Sequence, residues 1–210
     1  MSECVLYGPA FSTYVRSVRL ALEEKGIAYS LEEVDLIGGA NLEENHLKRH
    51  PFGKVPAFEN DGFSLYETSA INRYIDEALP GPDLQPGDSH ARARMNQAIA
   101  VVDSYAYPNM ITALVIQRLL VPLQGGTPDE AVIQEAMPRA ELAVKALDGL
   151  LQPKPSGVLD LADIHLIPIW DYVAHTPEAE GLTALAPNLA AWWASVKDRP
   201  SVERTRPSIG

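Results

Sequence analysis

The feature that most constrains this 210-residue chain is a change of pattern at a Pro/Gly-rich segment, residues 80–88. Before it, short apolar runs alternate with stretches of helical spacing, whereas after it the apolar residues recur only at helical spacing. Alternating patterns are typical of an α/β unit, and unbroken helical spacing is typical of a helical bundle. The sequence therefore predicts an α/β domain over residues 1–79, a linker over 80–88 and an all-helical domain over 89–210.

The first domain is predicted to follow the order βαβαββα. Cys4–Tyr7 is a short apolar run that ends at Gly8 and Pro9, as a buried strand would. Ser12 is a typical helix N-cap before apolar residues at helical spacing, and Gly26 is a typical helix stop. The next elements are a strand, a short polar helix, a hairpin and a third helix, over residues 29–36, 41–48, 55–65 and 68–79.

The second domain is predicted to be a helical bundle. Helical patterns cover residues 89–121, 128–151, 161–173 and 187–197, and Pro108 is expected to bend the first of them. The most apolar segment, residues 111–123, contains Gln117, Arg118 and Pro122 and is too short to span a bilayer. We therefore expect no membrane association.

Charge and cysteine content restrict the partners and the compartment. Lys and Arg total 17 against 28 Asp and Glu, and the net charge of -11 disfavours nucleic acids and anionic membranes. The single cysteine, Cys4, cannot form an internal disulfide and fits a reducing compartment. The first residues have no basic region followed by a long apolar stretch, so we expect no signal peptide and a cytoplasmic protein.

The sequence carries no nucleotide-binding or metal-binding motif. Gly-x-Gly-x-x-Gly does not follow the first strand, and Gly-x-x-x-x-Gly-Lys-Ser/Thr does not occur. His46 and His50 are four residues apart, but no third ligand accompanies them and Pro51 follows at once. We expect no metal site.

Three segments, in this order and spacing, resemble motifs of the glutathione transferase family: residues 7–16 (YGPAFSTYVR), 51–57 (PFGKVPA) and 66–71 (YETSAI). Residues 161–166 and 191–193 resemble the helical half of the family, so the resemblance spans the chain. The Ser-Thr-x-x-Arg segment is most similar to the serine-using, phi-like branch, of bacterial type. The resemblance implies a thioredoxin-like domain that binds glutathione, a helical domain that shapes the pocket for an electrophile, and a homodimer.

The resemblance assigns thiol activation to Ser12. A free thiol has a pKa of about 8.5, and lowering it by about two units requires roughly 2.7 kcal/mol of preferential stabilisation of the thiolate. A donated hydrogen bond to a charged group supplies about 1.5–3 kcal/mol, and a helix N-terminus adds about 0.3–1 kcal/mol. Tyr7 is the competing hydroxyl, because other branches of the family use a tyrosine near the end of the first strand. Cys4 lies too early to match the cysteine-using members.

The resemblance also places the substrates. The backbone of Val55, before a cis proline, would bind the cysteinyl part of glutathione, and Glu67 and Thr68 would hold the ammonium and carboxylate of its γ-glutamyl end. The positions that bind the glycyl carboxylate in phi-like members fall on Asn41, Leu42 and Lys54, where only Lys54 carries a charge. The candidates for the electrophile pocket are apolar or aromatic and are equally explained as core: Phe11, Tyr105, Met110 and Leu114.

The expected function is a glutathione transferase that conjugates glutathione, its co-substrate, to small hydrophobic electrophiles in detoxification. Two alternatives stay open. Glutathione-dependent peroxidase or isomerase chemistry would use the same site, and a transferase-like binding protein without turnover would fit the altered glycyl-end residues Asn41 and Leu42.

Overall fold

Four strands form one mixed sheet in the order β2-β1-β3-β4 in the computed structural model, which describes residues 3–151 and 157–207. The strands are β1 (Cys4–Tyr7), β2 (Ser30–Glu32), β3 (Ala57–Asn60) and β4 (Phe63–Tyr66). β1 pairs in parallel with β2 and antiparallel with β3, which pairs antiparallel with β4. The helices of this part are α1 (Thr13–Lys25), α2 (Glu44–Leu47) and α3 (Thr68–Ala78). The predicted thioredoxin-like order βαβαββα is confirmed.

Strand alternation gives the sheet a core face and a second, more polar face. Leu6 and Phe58 are register partners and are fully buried, whereas Tyr7 and Glu59 are only partly buried. The core also contains buried residues of α1 and α3, namely Val15, Val18, Leu22, Ile71 and Ile75. Successive side chains of a strand point to opposite faces, so Tyr7 and Glu59 share the face that Leu6 does not.

Two predicted elements are shorter than expected. β2 covers only Ser30–Glu32 of the expected residues 29–36, because its parallel partner β1 offers just three register positions. The helix expected over residues 41–48 is split into a 3₁₀ turn, Ala40–Leu42, and α2. Glu43 separates the two with an extended backbone, φ -74° and ψ 151°.

The first compact unit contains residues 3–85 and also residues 200–207, which the sequence assigns to the helical domain. Helix α10 (Pro200–Thr205) lies against α1. The Arg16 guanidinium, fully buried, donates hydrogen bonds to the Val202 carbonyl (3.3 Å) and the Thr205 hydroxyl (3.4 Å). The helical patterns of the sequence end at residue 197, so neither α10 nor the element against which it packs is predicted. Residues 1–2, 152–156 and 208–210, which the predicted boundaries include, lie outside the described residues.

The second unit, residues 86–199, is helical as predicted. Its first helix runs continuously from Ser89 to Leu123, as α4 (Ser89–Val101), a π-helical segment (Val102–Leu120) and α5 (Val121–Leu123). Pro108, where a bend is expected, lies inside the π-helical segment. The remaining helices are α6 (Glu130–Leu150), α7 (Leu161–Val173), α8 (Ala179–Ala184) and α9 (Pro187–Val196), of which α8 is not predicted by the sequence.

The helix Ser89–Leu123 is longer than the apolar segment that the sequence singles out. Among the described residues it is the one helix whose length and composition alone would allow it to cross a membrane. Val102, Ala106, Met110 and Leu114 on this helix are buried in the core of the helical unit, together with residues of α6, α7 and α9. These contacts account for part of its apolar composition, since 39% of its most apolar stretch is buried.

Candidate functional site

The register of the sheet brings three loops to one end of the first unit. Tyr7 of β1 pairs with Ala57 of β3, and Ala57 pairs with Tyr66 of β4, so these residues form one row across three strands. The chain leaves this row towards Ser12 after β1 and towards Glu67 after β4, and it enters the row through residues 54–56. Because neighbouring strands lie about 4.8 Å apart, the three loops begin within roughly 10 Å of each other.

Gly8 joins two of these loops. A Cβ at this position would lie 2.4 Å from Val15 Cγ2 and 3.0 Å from Val55 Cβ, and its φ is 145°. Both the space and the backbone angle therefore require glycine. The backbone after β1 is in contact with the first turn of α1 on one side and with Val55 on the other.

Ser12 is the N-cap of α1, with an extended backbone at φ -66° and ψ 128°. Its Oγ accepts a long hydrogen bond of 3.4 Å from the Val15 N–H. In this role the oxygen accepts, and within the described ranges the hydroxyl proton has no acceptor. A serine hydroxyl carries one donor and two acceptor positions, so capping leaves the donor available to a ligand.

Tyr7 is committed to other partners. Its hydroxyl donates to Glu59 Oε2 at 3.1 Å, and the Arg49 guanidinium lies 4.2 Å from the centre of its ring. Burial, and then the hydrogen bond to Glu59, raise the pKa of the Tyr7 phenol above its ordinary value. The Tyr7 hydroxyl proton is therefore already donated to the Glu59 carboxylate and is not available to a glutathione thiolate. Sequence reasoning missed Glu59 and Arg49, although strand alternation places Tyr7 and Glu59 on one face of the sheet.

The loop before β3 contains the cis peptide bond Val55-Pro56, as the resemblance implied. Two side chains hold the backbone that leads into it. Asn41 Nδ2 donates to the Gly53 carbonyl at 2.7 Å, and His46 Nε2 lies 2.7 Å from the Lys54 carbonyl. In the part of the chain that the structure describes, the Val55 N–H donates no hydrogen bond to the protein, and the Val55 carbonyl accepts none from it. They are available to a bound peptide.

The residues expected at the glycyl end have unequal roles. The Asn41 amide is used by the Gly53 carbonyl, and the Leu42 side chain is 66% exposed. Lys54 is exposed, and its ammonium makes no ion pair with any residue in the described ranges. Lys54 is therefore the one charged group of this set that a carboxylate could reach.

Glu67 lies in a strained turn immediately before α3. Its φ of 72° and ψ of 112° are unusual for a residue with a Cβ, and such conformations are concentrated at ligand sites. The Ala70 and Ile71 N–H groups are bonded to the Glu67 carbonyl, so the N–H groups of Thr68 and Ser69 precede the first intrahelical bonds. Free N–H groups at a helix N-terminus favour the binding of an anion.

The two histidines noted in the sequence lie beneath this end of the sheet. His46 and His50 are 4% and 2% exposed, and their rings are stacked with centroids 6.5 Å apart. Burial lowers the pKa of His50, and the Glu67 carboxylate opposes that shift. Among residues 3–151 and 157–207, no group of three or more His, Cys, Asp or Glu side chains is placed to hold a metal ion.

The candidates for the electrophile pocket differ in exposure. Phe11, in the first unit, and Tyr105, in the helical unit, are 46% and 60% exposed. Met110 and Leu114 are fully buried within the core of the helical unit. A separate cavity of about 350 Å³ on the first unit is lined by Asn45, Lys48, Arg49, Glu59 and Ser64, and none of the predicted site residues lines it.

Comparisons with known proteins identify what the chain resembles. It matches the family model "Glutathione S-transferase, N-terminal domain" over residues 6–83 and "Glutathione S-transferase, C-terminal domain" over residues 105–200. Glutathione S-transferase 3 of Zea mays is 34% identical over 217 residues, covering 100% of this chain and 96% of the relative.

Solved structures give the same result. Glutathione transferase F7 from Populus trichocarpa superposes with a TM-score of 0.83 at 28% identity, covering 96% of this chain and 97% of that chain. A glutathione S-transferase I from maize, in complex with an atrazine glutathione conjugate, superposes with a TM-score of 0.81 at 26% identity, covering 96% and 95%. These relatives are plant proteins, so the expectation of a bacterial-type chain is not borne out.

Proposed function

The chain belongs to the glutathione S-transferase family of enzymes, and on that premise we propose that it transfers the sulfur of glutathione to hydrophobic electrophiles, with the thiolate stabilised by the Ser12 hydroxyl. One observation carries the proposal: the sheet register and the contacts of Gly8 bring the N-terminus of α1 beside the cis Val55-Pro56 loop. The Glu67 turn follows at the same end of the sheet.

The chemistry requires a thiolate at neutral pH. In the proposed step, the thiol loses its proton to solvent, Ser12 Oγ donates a hydrogen bond to the sulfur, and the sulfur attacks the electrophilic carbon. A carbon–sulfur bond forms while the leaving group departs with its electron pair. Ser12 acts as donor and not as nucleophile or base, because among the described residues no histidine is hydrogen-bonded to its hydroxyl and an unassisted serine is a poor nucleophile.

The other site residues orient the tripeptide. We assign the γ-glutamyl ammonium to the Glu67 carboxylate and the γ-glutamyl carboxylate to Thr68 and the N–H groups at the start of α3. The cysteinyl part pairs with the backbone of Val55. The Lys54 ammonium takes the glycyl carboxylate, and Asn41 supports this end through its hydrogen bond to Gly53.

The electrophile is proposed to be small and apolar. A glutathione S-transferase I from maize is in complex with an atrazine glutathione conjugate. Phe11 is exposed and adjacent to Ser12, so it is the proposed contact from the first unit. The helical unit is proposed to contribute Tyr105 directly, with Met110 and Leu114 as buried support, on the family resemblance alone. The same resemblance supports a cytoplasmic homodimer that acts in detoxification.

The decisive experiment is a pH titration of bound glutathione, followed by the ultraviolet absorbance of its thiolate. Ser12→Ala removes a donor worth about 1.5–3 kcal/mol, so the pKa of the bound thiol should rise by about one to two units. Tyr7→Phe is the matched control, since its hydroxyl is bonded to Glu59, and it should leave that pKa almost unchanged. A larger effect of Tyr7→Phe than of Ser12→Ala would refute the assignment.

A second candidate is a binding protein without useful turnover, favoured by the commitment of Asn41 to Gly53 and by the exposed Leu42. Wild-type protein that binds glutathione without lowering its thiol pKa would support this candidate. Peroxidase or isomerase chemistry would instead retain the lowered pKa, and a peroxide or isomerisable substrate would be consumed faster than an aryl halide.

A further inference from the structure

We propose that His46 and His50 are positioning residues of the glutathione site, which hold the backbone of residues 54–55 and the Glu67 turn in the orientation that binds the tripeptide. This inference rests on the proposed function. Neither histidine takes part in the mechanism proposed above. Both side chains are buried, and both lie in the segment that precedes the Val55-Pro56 loop.

His46 fixes the Lys54 carbonyl. The His46 ring is held on α2, and its Nε2 lies 2.7 Å from that oxygen. A carbonyl only accepts, so the bond requires a proton on Nε2. The neighbouring Gly53 carbonyl is fixed in the same way by Asn41. With two consecutive carbonyls held by side chains, the backbone of Lys54 and Val55 keeps one orientation relative to the sheet.

His50 connects this loop to the Glu67 turn. Its carbonyl accepts a hydrogen bond of 2.9 Å from the Gly53 N–H, so it begins the turn that leads to residues 54–55. Its ring centroid lies 4.9 Å from that of Tyr66, the residue before Glu67. The centroids of the Phe52 and His46 rings lie 6.2 and 6.5 Å from that of His50. His50 Nδ1 is buried, and no hydrogen-bond partner for it lies in the described part of the chain.

The charges around His50 make the arrangement sensitive to acid. The titratable groups that act on it are Glu67, His46 and Lys54, and burial keeps the ring neutral at neutral pH. If the ring gains a proton, a buried cation lies near the Glu67 carboxylate. That carboxylate is then drawn to His50 and away from the ligand ammonium. Glutathione affinity should therefore fall when the pH drops below the ordinary range of a histidine.

The test of His46 compares a variant that keeps the donor with one that loses it. His46→Leu should weaken the binding of reduced glutathione, measured by calorimetry at neutral pH, by about three- to tenfold, the effect of one hydrogen bond. His46→Gln, whose amide can donate to Lys54, should restore most of the affinity. The pKa of bound thiol should stay at its wild-type value in both, because Ser12 is untouched.

The test of His50 separates packing from titration. His50→Phe keeps a ring against Tyr66 and cannot titrate, so it should bind glutathione at neutral pH nearly as wild type and lose the decline in acid. His50→Ala, which removes the ring, should weaken binding at every pH. The control His90→Gln removes an exposed histidine of α4 and should leave the affinity profile unchanged.

The outcomes are distinct. If wild-type protein binds glutathione and His46→Leu and His50→Ala bind it equally well, the positioning roles are refuted while the proposed function stands. If His46→Gln restores nothing, or His50→Phe declines in acid as wild type does, the hydrogen-bond and titration arguments are overturned. If the wild-type protein binds no glutathione, both the proposed function and this inference fall.

Discussion

Replacing Gly8 by alanine tests the contact on which the proposed site depends. The added Cβ would lie 2.4 Å from Val15 Cγ2 and 3.0 Å from Val55 Cβ, at a φ of 145°. An L-residue held at such an angle costs about 1–3 kcal/mol, and overpacking of this kind costs about 1–3 kcal/mol. We therefore expect Gly8→Ala to lower the free energy of unfolding of the first unit by about 2–6 kcal/mol.

Gly26→Ala is the matched control. Gly26 ends α1 with a φ of 69°, and nothing lies within 4 Å of a Cβ built there. It carries a positive φ without the steric contact, but its angle lies in the left-handed helical region and the 145° of Gly8 does not. The difference between the two variants therefore contains the contact with Val15 and Val55 together with the more restricted angle of Gly8. The steric contact should contribute about 1–3 kcal/mol of that difference.

The assay must follow the first unit. The three tryptophans, Trp170, Trp192 and Trp193, all belong to the helical unit, so tryptophan fluorescence reports on that unit. Urea unfolding is better followed by far-ultraviolet circular dichroism together with amide hydrogen exchange of β1. If Gly8→Ala costs no more than Gly26→Ala, the loops do not meet at Gly8, and the site built on that contact is refuted.

Three further predictions follow from described contacts. Burial lowers the pKa of His50, so the unfolded chain binds a proton at this residue more readily than the folded chain does. The free energy of unfolding, measured in urea, should therefore decline as the pH falls through about 6.5. The decline should be smaller in His50→Phe. Lys25→Met leaves the Asp76 carboxylate buried without the ammonium that lies 3.2 Å away. It should lower the free energy of unfolding, measured in urea, by about 3–5 kcal/mol. A loss below about 1 kcal/mol would show that the pair contributes little. Thr205→Val removes the hydroxyl that accepts a hydrogen bond from Arg16 Nε. It should speed amide hydrogen exchange in α1 and lower the free energy of unfolding by about 1–3 kcal/mol. Unchanged exchange would contradict the packing of α10 against α1.

Much of the fold could be predicted because its signals are local. Ser12 and Gly26 delimit α1 through cap chemistry that needs only neighbouring residues, and both boundaries agree with the structure. Asp160 and Asp163 likewise form a capping box at the start of α7, the helix predicted over residues 161–173. The placement of α10 could not be predicted, because it depends on hydrogen bonds from Arg16 to residues more than 180 positions away.

The candidate site could likewise be predicted only in part. Ser12, Val55 and Glu67 were singled out by family resemblance, and their assignment to glutathione stays a prediction. Their common location follows from the pairing of Tyr7, Ala57 and Tyr66, a register that no single segment encodes. His46 and His50 carried only a metal-ligand pattern in the sequence, because their contacts to Lys54 and Tyr66 arise once the loop folds back.

The attachment of α10 to α1 has a consequence for synthesis on the ribosome. Residues 3–85 emerge first, but Arg16 and Arg19 meet their carbonyl acceptors at Val202 and Thr205 only after the whole helical unit has been translated. Domains generally fold as units as they leave the exit tunnel. Although it comes second along the chain, the helical unit is thus the first whose residues have all been translated, and the first unit is completed last.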